Sequence, residues 1–204
     1  MRDGRALVPA QRPDELRDQV EANLATLGAD HLGAVYLRRL DAPPGIIADG
    51  DQKVGIDDQL AELSALRHAG KIGGIGLSGV SAAQLSHALP IGIACVQNGY
   101  SVLDRVSEPE LALCREHGIA WVPFFPLGSA YPNRPHVNRD PTVTAVAASL
   151  GATPAQVALA RLLARYDGTL LIAGTANPVH LAENIAAAGI RLPATAMAEL
   201  DSLA

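Results

Sequence analysis

Small and polar residues stand directly after five short apolar runs, and there this sequence could do chemistry. Arg38 and Arg39 follow the run 32–37, Ser78 and Gly79 follow 72–77, and Gln97 and Asn98 follow 91–96. The run 119–125 leads into Phe124-Phe125-Pro126-Leu127-Gly128, and 169–173 leads into Gly174-Thr175-Ala176-Asn177. The last of these is a Gly-containing loop entering a helix, with Asn177 as cap and Pro178 at the first helical position. Free amides and the positive end of a helix dipole bind phosphate without a basic side chain. Service as a plain helix cap is the alternative for Asn177. Gln97 ends an apolar run, so its amide needs a partner, either a ligand amide or a neighbouring loop. Phe124 and Phe125 offer a face to a flat ring, although consecutive Phe residues more often fill core.

Other catalytic sets are absent from the sequence. The six histidines (His31, His68, His87, His117, His136 and His180) show neither HxH nor HExxH spacing, so no metal site is expected. There is no GxSxG elbow. Cys95 and Cys114 form no CxxC pair and read as buried thiols rather than a disulfide. Tyr131-Pro132-Asn133-Arg134-Pro135-His136 reads as a loop above the strand ends, either a lid or ordinary surface.

The elements that must position these residues alternate in period. Leu16, Val20, Leu24 and Leu27 form one helical stripe, and Leu60, Leu63 and Leu66 a second. Further helices are expected over 81–88, 107–117, 143–150, 154–165, 178–188 and 194–203. Ser81 with Gln84, Ser107 with Glu110, and Thr153 with Gln156 have capping-box spacing. Gly28, Gly70, Gly118 and Gly151 sit where helices end in a left-handed residue. The strand-like runs are apolar at consecutive positions, which implies burial on both faces of a parallel sheet covered by helices. Five such strands suit an open doubly wound sheet or part of an eight-stranded barrel. A dinucleotide-binding doubly wound sheet opens with a GxGxxG turn between its first strand and helix, and none stands between the run 32–37 and the helix that follows it, which favours the barrel. In either architecture ligands meet the carboxyl ends of the strands.

The chain has 204 residues and is 49% hydrophobic, enough for one sizeable core, so a single domain over 1–204 is expected. A net charge of −5, with 3% aromatic residues and no basic block, argues against a nucleic-acid partner. Gly, Pro or charge interrupts every apolar run before bilayer-spanning length, which argues against a membrane span. The start MRDGRALVPAQRPDE lacks a signal-peptide apolar stretch, so a cytoplasmic protein is expected.

In their order, the strand-end residues resemble the aldo/keto reductase family. Residues 16–30 are similar to its L-x-x-x-V-x-x-x-L-x-x-L-G-x-D helix and turn, and 70–78 to G-K-I-R-x-I-G-x-S. Residues 96–101 match V-Q-N-x-Y-S. Phe125-Pro126-Leu127-Gly128 matches S-P-L-G with Phe for Ser, and Ile172-Ala173-Gly174-Thr175 with Glu183-Asn184 matches I-P-G-T and its downstream E-N. The resemblance implies an α/β fold of the (β/α)8 TIM-barrel type. It would be incomplete, with about five parallel strands corresponding to barrel strands 4–8, a domain lacking its first three β/α units. It implies NADP(H), with NAD(H) as the alternative, and reduction of a small-molecule aldehyde or ketone. By position, Ser78 and Gln97 would hold the nicotinamide carboxamide and Phe124 would stack on the ring. Leu127 and Gly128 would line the pyrophosphate path, Gly174 and Thr175 would meet the adenosine phosphate, and Glu183 and Asn184 the adenine, with Phe125, Pro126 and His180 as further cofactor-binding residues.

Among the departures from the family pattern, Gly79 follows Ser78 where Asn is frequent and removes one carboxamide contact, Gly174 and His180 stand where Lys and Arg often grip a 2′-phosphate, and the most important concern proton transfer. The family's tetrad is Asp, Tyr, Lys and His. Arg38 stands where the His is expected, and the other three belong to segments ahead of those matched here. Arg38 could orient or polarise a carbonyl, but a guanidinium does not give up a proton near neutral pH. Tyr36 is expected to point elsewhere. Arg38 together with Pro123-Phe124-Phe125-Pro126-Leu127-Gly128 resembles a bacterial branch containing pyridoxal reductases. Two other readings stand beside this one: an inactive nucleotide-binding or interaction protein of the same fold, and a phosphate-binding barrel acting as an isomerase or lyase. Five strands leave an open barrel edge, so marginal stability or self-association through that edge is also expected.

Overall fold

In the computed structural model the described residues are 8–43, 45–128 and 135–203; Tyr131 and most of the expected 131–136 loop lie outside them. The chain forms two compact units, Met1–Val96 and Gln97–Ala204.

The first unit alternates helix and strand: α1 (Pro13–Leu27), β1 (Leu32–Arg38), α2 (Ile56–His68), β2 (Ile72–Ser78), α3 (Ala82–Ala88) and β3 (Ile93–Gln97), whose last residue opens the second unit. The strands lie side by side in chain order, and β1 pairs with β2 in parallel. Leu37, Ile75 and Leu77 are wholly buried, with α2 packed on β2. The α3 cap forms as its spacing predicts: the Gln84 amide donates to Ser81 Oγ at 3.3 Å, and the Ser81 amide to Gln84 Oε1 at 3.0 Å. Burial on both faces holds for most of β2 but not for β1, where Gly33, Ala34 and Arg38 are exposed. Among the described residues β1 has β2 alone as a strand neighbour, so less of it is covered.

The second unit holds α4 (Glu108–His117), β4 (Ala120–Trp121), α5 (Pro141–Ser149), α6 (Pro154–Arg165), α7 (Pro178–Ala186) and α8 (Ala194–Asp201). Val143, Val146, Val157, Ala158, Ala196 and Leu200 from α5, α6 and α8 share one buried cluster. The capping box at Thr153 forms, but the one expected at Ser107 does not. Ser107 has φ −92° and ψ 22°, away from the extended geometry that brings a cap oxygen onto the first amides. Its hydroxyl instead accepts from Asn98 Nδ2 at 3.4 Å.

The fifth expected strand is a second correction. The run 169–173 pairs with β4 only at a parallel bridge between Trp121 and Thr169. The Trp121 amide donates to the Gly168 carbonyl at 2.9 Å and the Leu170 amide to the Trp121 carbonyl at 2.8 Å. Pro123, two residues on, has no amide with which to extend the ladder. Beyond Thr169 the chain runs on without regular structure, leaving Leu170 and Ile172 exposed. Among the described residues no single helix is long and apolar enough to cross a membrane.

Candidate functional site at the strand ends

Arg38 and Ser78 are register partners, the last residues of β1 and β2. Paired residues of a parallel sheet project from one face, and so do residues two apart along a strand. Tyr36, paired with Gly76, therefore shares the face of Arg38, contrary to the expectation that it points elsewhere. Its ring lies across Gly76 and its hydroxyl bonds the Cys95 thiol. Burial, with that bond second, pushes the phenol pKa well above the usual tyrosine value. Alternation along β1 was the signal that could have placed Tyr36 from sequence.

The two adjacent arginines have opposite environments. Arg39 has a buried side chain that binds Asp41 through Nε at 2.9 Å and Nη2 at 2.8 Å. It also donates to the Val54 carbonyl at 3.0 Å and to Gln59 Oε1. Gln59, fully buried, passes the network on to the Gln11 carbonyl at 2.7 Å. Burial works against the Asp41 carboxylate, but bonds from Arg39 and Gln84 outweigh it and hold its pKa below the usual range. Arg38 is exposed and, among the described residues, has no hydrogen-bond or ion-pair partner.

In the second unit, the chain leaving β3 runs beside the chain leaving β4. Gly99 and Phe124 form a parallel bridge; the Phe124 amide donates to the Asn98 carbonyl at 2.9 Å and the Tyr100 amide to the Phe124 carbonyl at 3.2 Å. The half-buried Phe124 ring lies over Gly99, where an added Cβ would stand 3.0 Å from its Cε2. Gln97, half-buried one residue before Asn98, has no side-chain partner among the described residues. Phe125 packs edge-on against Phe124, with ring centroids 5.0 Å apart, and takes φ +58°. Pro126 is buried and Leu127 half-buried. Gly128 closes the turn, its amide donating to the Phe125 carbonyl at 2.9 Å. Its φ of +90° and the nearby Pro135 carbonyl leave no room for a side chain.

The third group gathers at the start of α7. Gly174, Thr175 and His180 are exposed. Asn177 does cap the helix, accepting from the Val179 amide at 2.9 Å, and its own amide donates to Thr175 Oγ1 at 3.1 Å. Asn184 Nδ2 donates to the Ala173 carbonyl at 3.2 Å, which leaves its Oδ1 for other contacts. The Glu183 carbonyl accepts from Gln156 Nε2 at 3.2 Å.

Parallel strands with interposed helices and polar groups at their carboxyl ends define an α/β protein of the (β/α)8-barrel type, here incomplete. The chain belongs to the aldo/keto reductase family, whose family model matches residues 5–204. It is 40% identical over 197 residues to pyridoxine 4-dehydrogenase of Escherichia coli (strain K12), covering 96% of this chain and 66% of that protein. It is 29% identical to the NADH-specific methylglyoxal reductase of the same organism, covering 92% and 64%. A thermostable aldo-keto reductase solved with the inhibitor epalrestat superposes with a TM-score of 0.79 at 26% identity, covering 96% of this chain and 68% of that one. The chain thus spans a little under two thirds of the length of these two curated relatives.

Proposed function

We propose that this chain carries the nicotinamide-dinucleotide site of an NADP(H)-dependent reductase that converts a small-molecule aldehyde or ketone to its alcohol in the cytoplasm. The observation that carries the reading is the partly exposed Phe124 ring held over Gly99, with the Gln97 side-chain amide, unpartnered among the described residues, two residues from Gly99. A flat apolar face and an unsatisfied carboxamide at one strand end suit a nicotinamide ring and its amide substituent. When bound, the dinucleotide supplies the hydride.

Around it, this chain's residues bind and orient. Gln97 holds the carboxamide, Phe124 backs the ring, and Leu127 and Gly128 line the pyrophosphate. Gly174, Thr175 and His180 meet the adenosine phosphate, and Glu183 and the free Asn184 oxygen meet the adenine. His180 is exposed at the third position of α7, and a 2′-phosphate there would be met by the amides at the helix start rather than by a Lys or Arg. Hydride addition leaves an alkoxide that must receive a proton. The family's Asp, Tyr and Lys have no counterpart at the matched positions, and Arg38 cannot donate.

The test is calorimetric titration of the chain with NADPH and with NADH, repeated on Gly99→Ala. Saturable binding is expected, weaker by about two- to tenfold in the variant because the displaced ring stacks less well. Failure of the wild-type chain to bind either dinucleotide would overturn the assignment.

A further inference from the structure

The second unit holds a hollow lined by none of the residues assigned to the dinucleotide. It opens between α6, the short helical turn Ala187–Gly189 and α8, and has a volume of about 420 Å³. Ala160 and Ala187, both buried, form its floor, and the half-buried Leu163, Leu192 and Met197 its walls. Its rim is charged. Asp167, just after α6, and Arg191, just ahead of α8, are both exposed there. Among the described residues neither has a hydrogen-bond or ion-pair partner, so they are not closed on each other. The neighbouring arginines are engaged: Arg161 binds Asp201 at 2.7 Å, Arg105 the Leu200 carbonyl at 2.6 Å, and Arg165 binds Glu108.

Ligand sites are mostly apolar hollows with a few polar groups that orient the guest. Here the walls suit an aliphatic group, and the rim suits one anion and one cation carried by the same molecule. A fatty acid would leave Asp167 unanswered, and an alkylamine would leave Arg191. We propose that this hollow binds a zwitterion with an aliphatic side chain, a free α-amino acid or a short apolar peptide. The carboxylate of the guest meets the Arg191 guanidinium, and its ammonium meets the Asp167 carboxylate. Its side chain lies against Leu163, Leu192 and Met197. The site is separate from the dinucleotide residues and stands whether or not a carbonyl is reduced.

The chain has two methionines, Met1 and Met197, so carbon-13 labelling of the methionine methyls puts a reporter in the wall of the hollow. Leucine and leucyl-leucine are titrated into the labelled full chain, each beside its amide and its desamino analogue. Saturable movement of the Met197 resonance is expected with at least one zwitterion, and the tighter of the two gives the length of the guest. Amidation of the carboxylate or removal of the ammonium should weaken binding about three- to tenfold. Glycine, with no side chain to bury, should not bind.

The variants assign the charges. Arg191→Gln should erase the difference between guest and amide, and Asp167→Asn that between guest and desamino analogue. Both positions are exposed, so the fold tolerates the changes. Ala164→Leu, at an exposed position of the lining, should fill the hollow and abolish binding. A Met197 resonance unmoved by both zwitterions overturns the proposal. A desamino acid that binds as tightly as its parent overturns it too, because the hollow would then be a simple anion site. Binding that survives both charge substitutions does the same.

Discussion

The Tyr100 hydroxyl donates to Glu108 Oε2 at 2.5 Å, while Arg165 binds the other oxygen of the same carboxylate. One residue after the Gly99 platform is thereby tied to the first turn of α4 and the last turn of α6. Tyr100 also meets Trp121 edge-on, with centroids 5.8 Å apart.

This triad sets a pH dependence at both ends. Burial, and then the Glu108 charge, push the Tyr100 hydroxyl up to about 12. The folded chain keeps that proton where the unfolded chain, with a tyrosine near ~10, has released it. The stabilisation is thus complete below the unfolded value and lost as pH climbs to the folded one. Glu108 behaves oppositely. Burial opposes its charge, but bonds from Tyr100 and Arg165 outweigh it and hold its pKa below the usual carboxylate range. That contribution is present above the unfolded carboxylate value and disappears as acid titrates the folded group. Tyr100→Phe should cost about 1–2 kcal/mol at neutral pH. It should also flatten the fall in stability between about pH 10 and about pH 12, read by urea melts. An unchanged alkaline slope would mean that Tyr100 is not its source.

Gly76 makes a second case, in packing. A Cβ there would stand 2.7 Å from Tyr36 Cδ1 and 2.8 Å from Cys95 Sγ. Neither atom is a free end, since the ring is held across the strand and the thiol is buried. Gly76→Ala should destabilise by about 1–3 kcal/mol. Adding Tyr36→Leu to Gly76→Ala should cost less than Tyr36→Leu alone, a coupling measured by a double-mutant cycle. Strict additivity would show that the ring does not rest on this glycine.

Much of this was legible in the sequence, and the gaps have identifiable causes. Stripes such as Leu16-Val20-Leu24 and the reciprocal caps at Ser81 and Thr153 are local signals, and the structure carries them through. Ser107 has the same spacing, but a competing bond from Asn98, nine residues away in sequence, occupies its hydroxyl. The run 169–173 looks like a strand because it is apolar, yet a strand needs a partner, and β4 stops ahead of Pro123. Arg38 and Arg39 look equivalent in sequence. Only the fold reveals that Gln59 and Asp41 take one and leave the other free.

Phe125 is the one non-glycine residue with positive φ among the described residues, at +58°. A side chain there costs roughly 1–2 kcal/mol. The edge-on contact with Phe124 returns about 0.5–1.5 kcal/mol, so ring and strain nearly cancel. Replacing Phe125 with Ala removes the ring and keeps the strain; replacing it with Gly removes both. At an ordinary loop position Gly is the less stable of the two, because the unfolded chain gains freedom. Here the order should reverse, with Phe125→Gly more stable than Phe125→Ala by about 1 kcal/mol in denaturant melts. If Ala proves the more stable, the left-handed turn is not retained in solution, and the Phe124 ring loses the backbone constraint that aims it over Gly99.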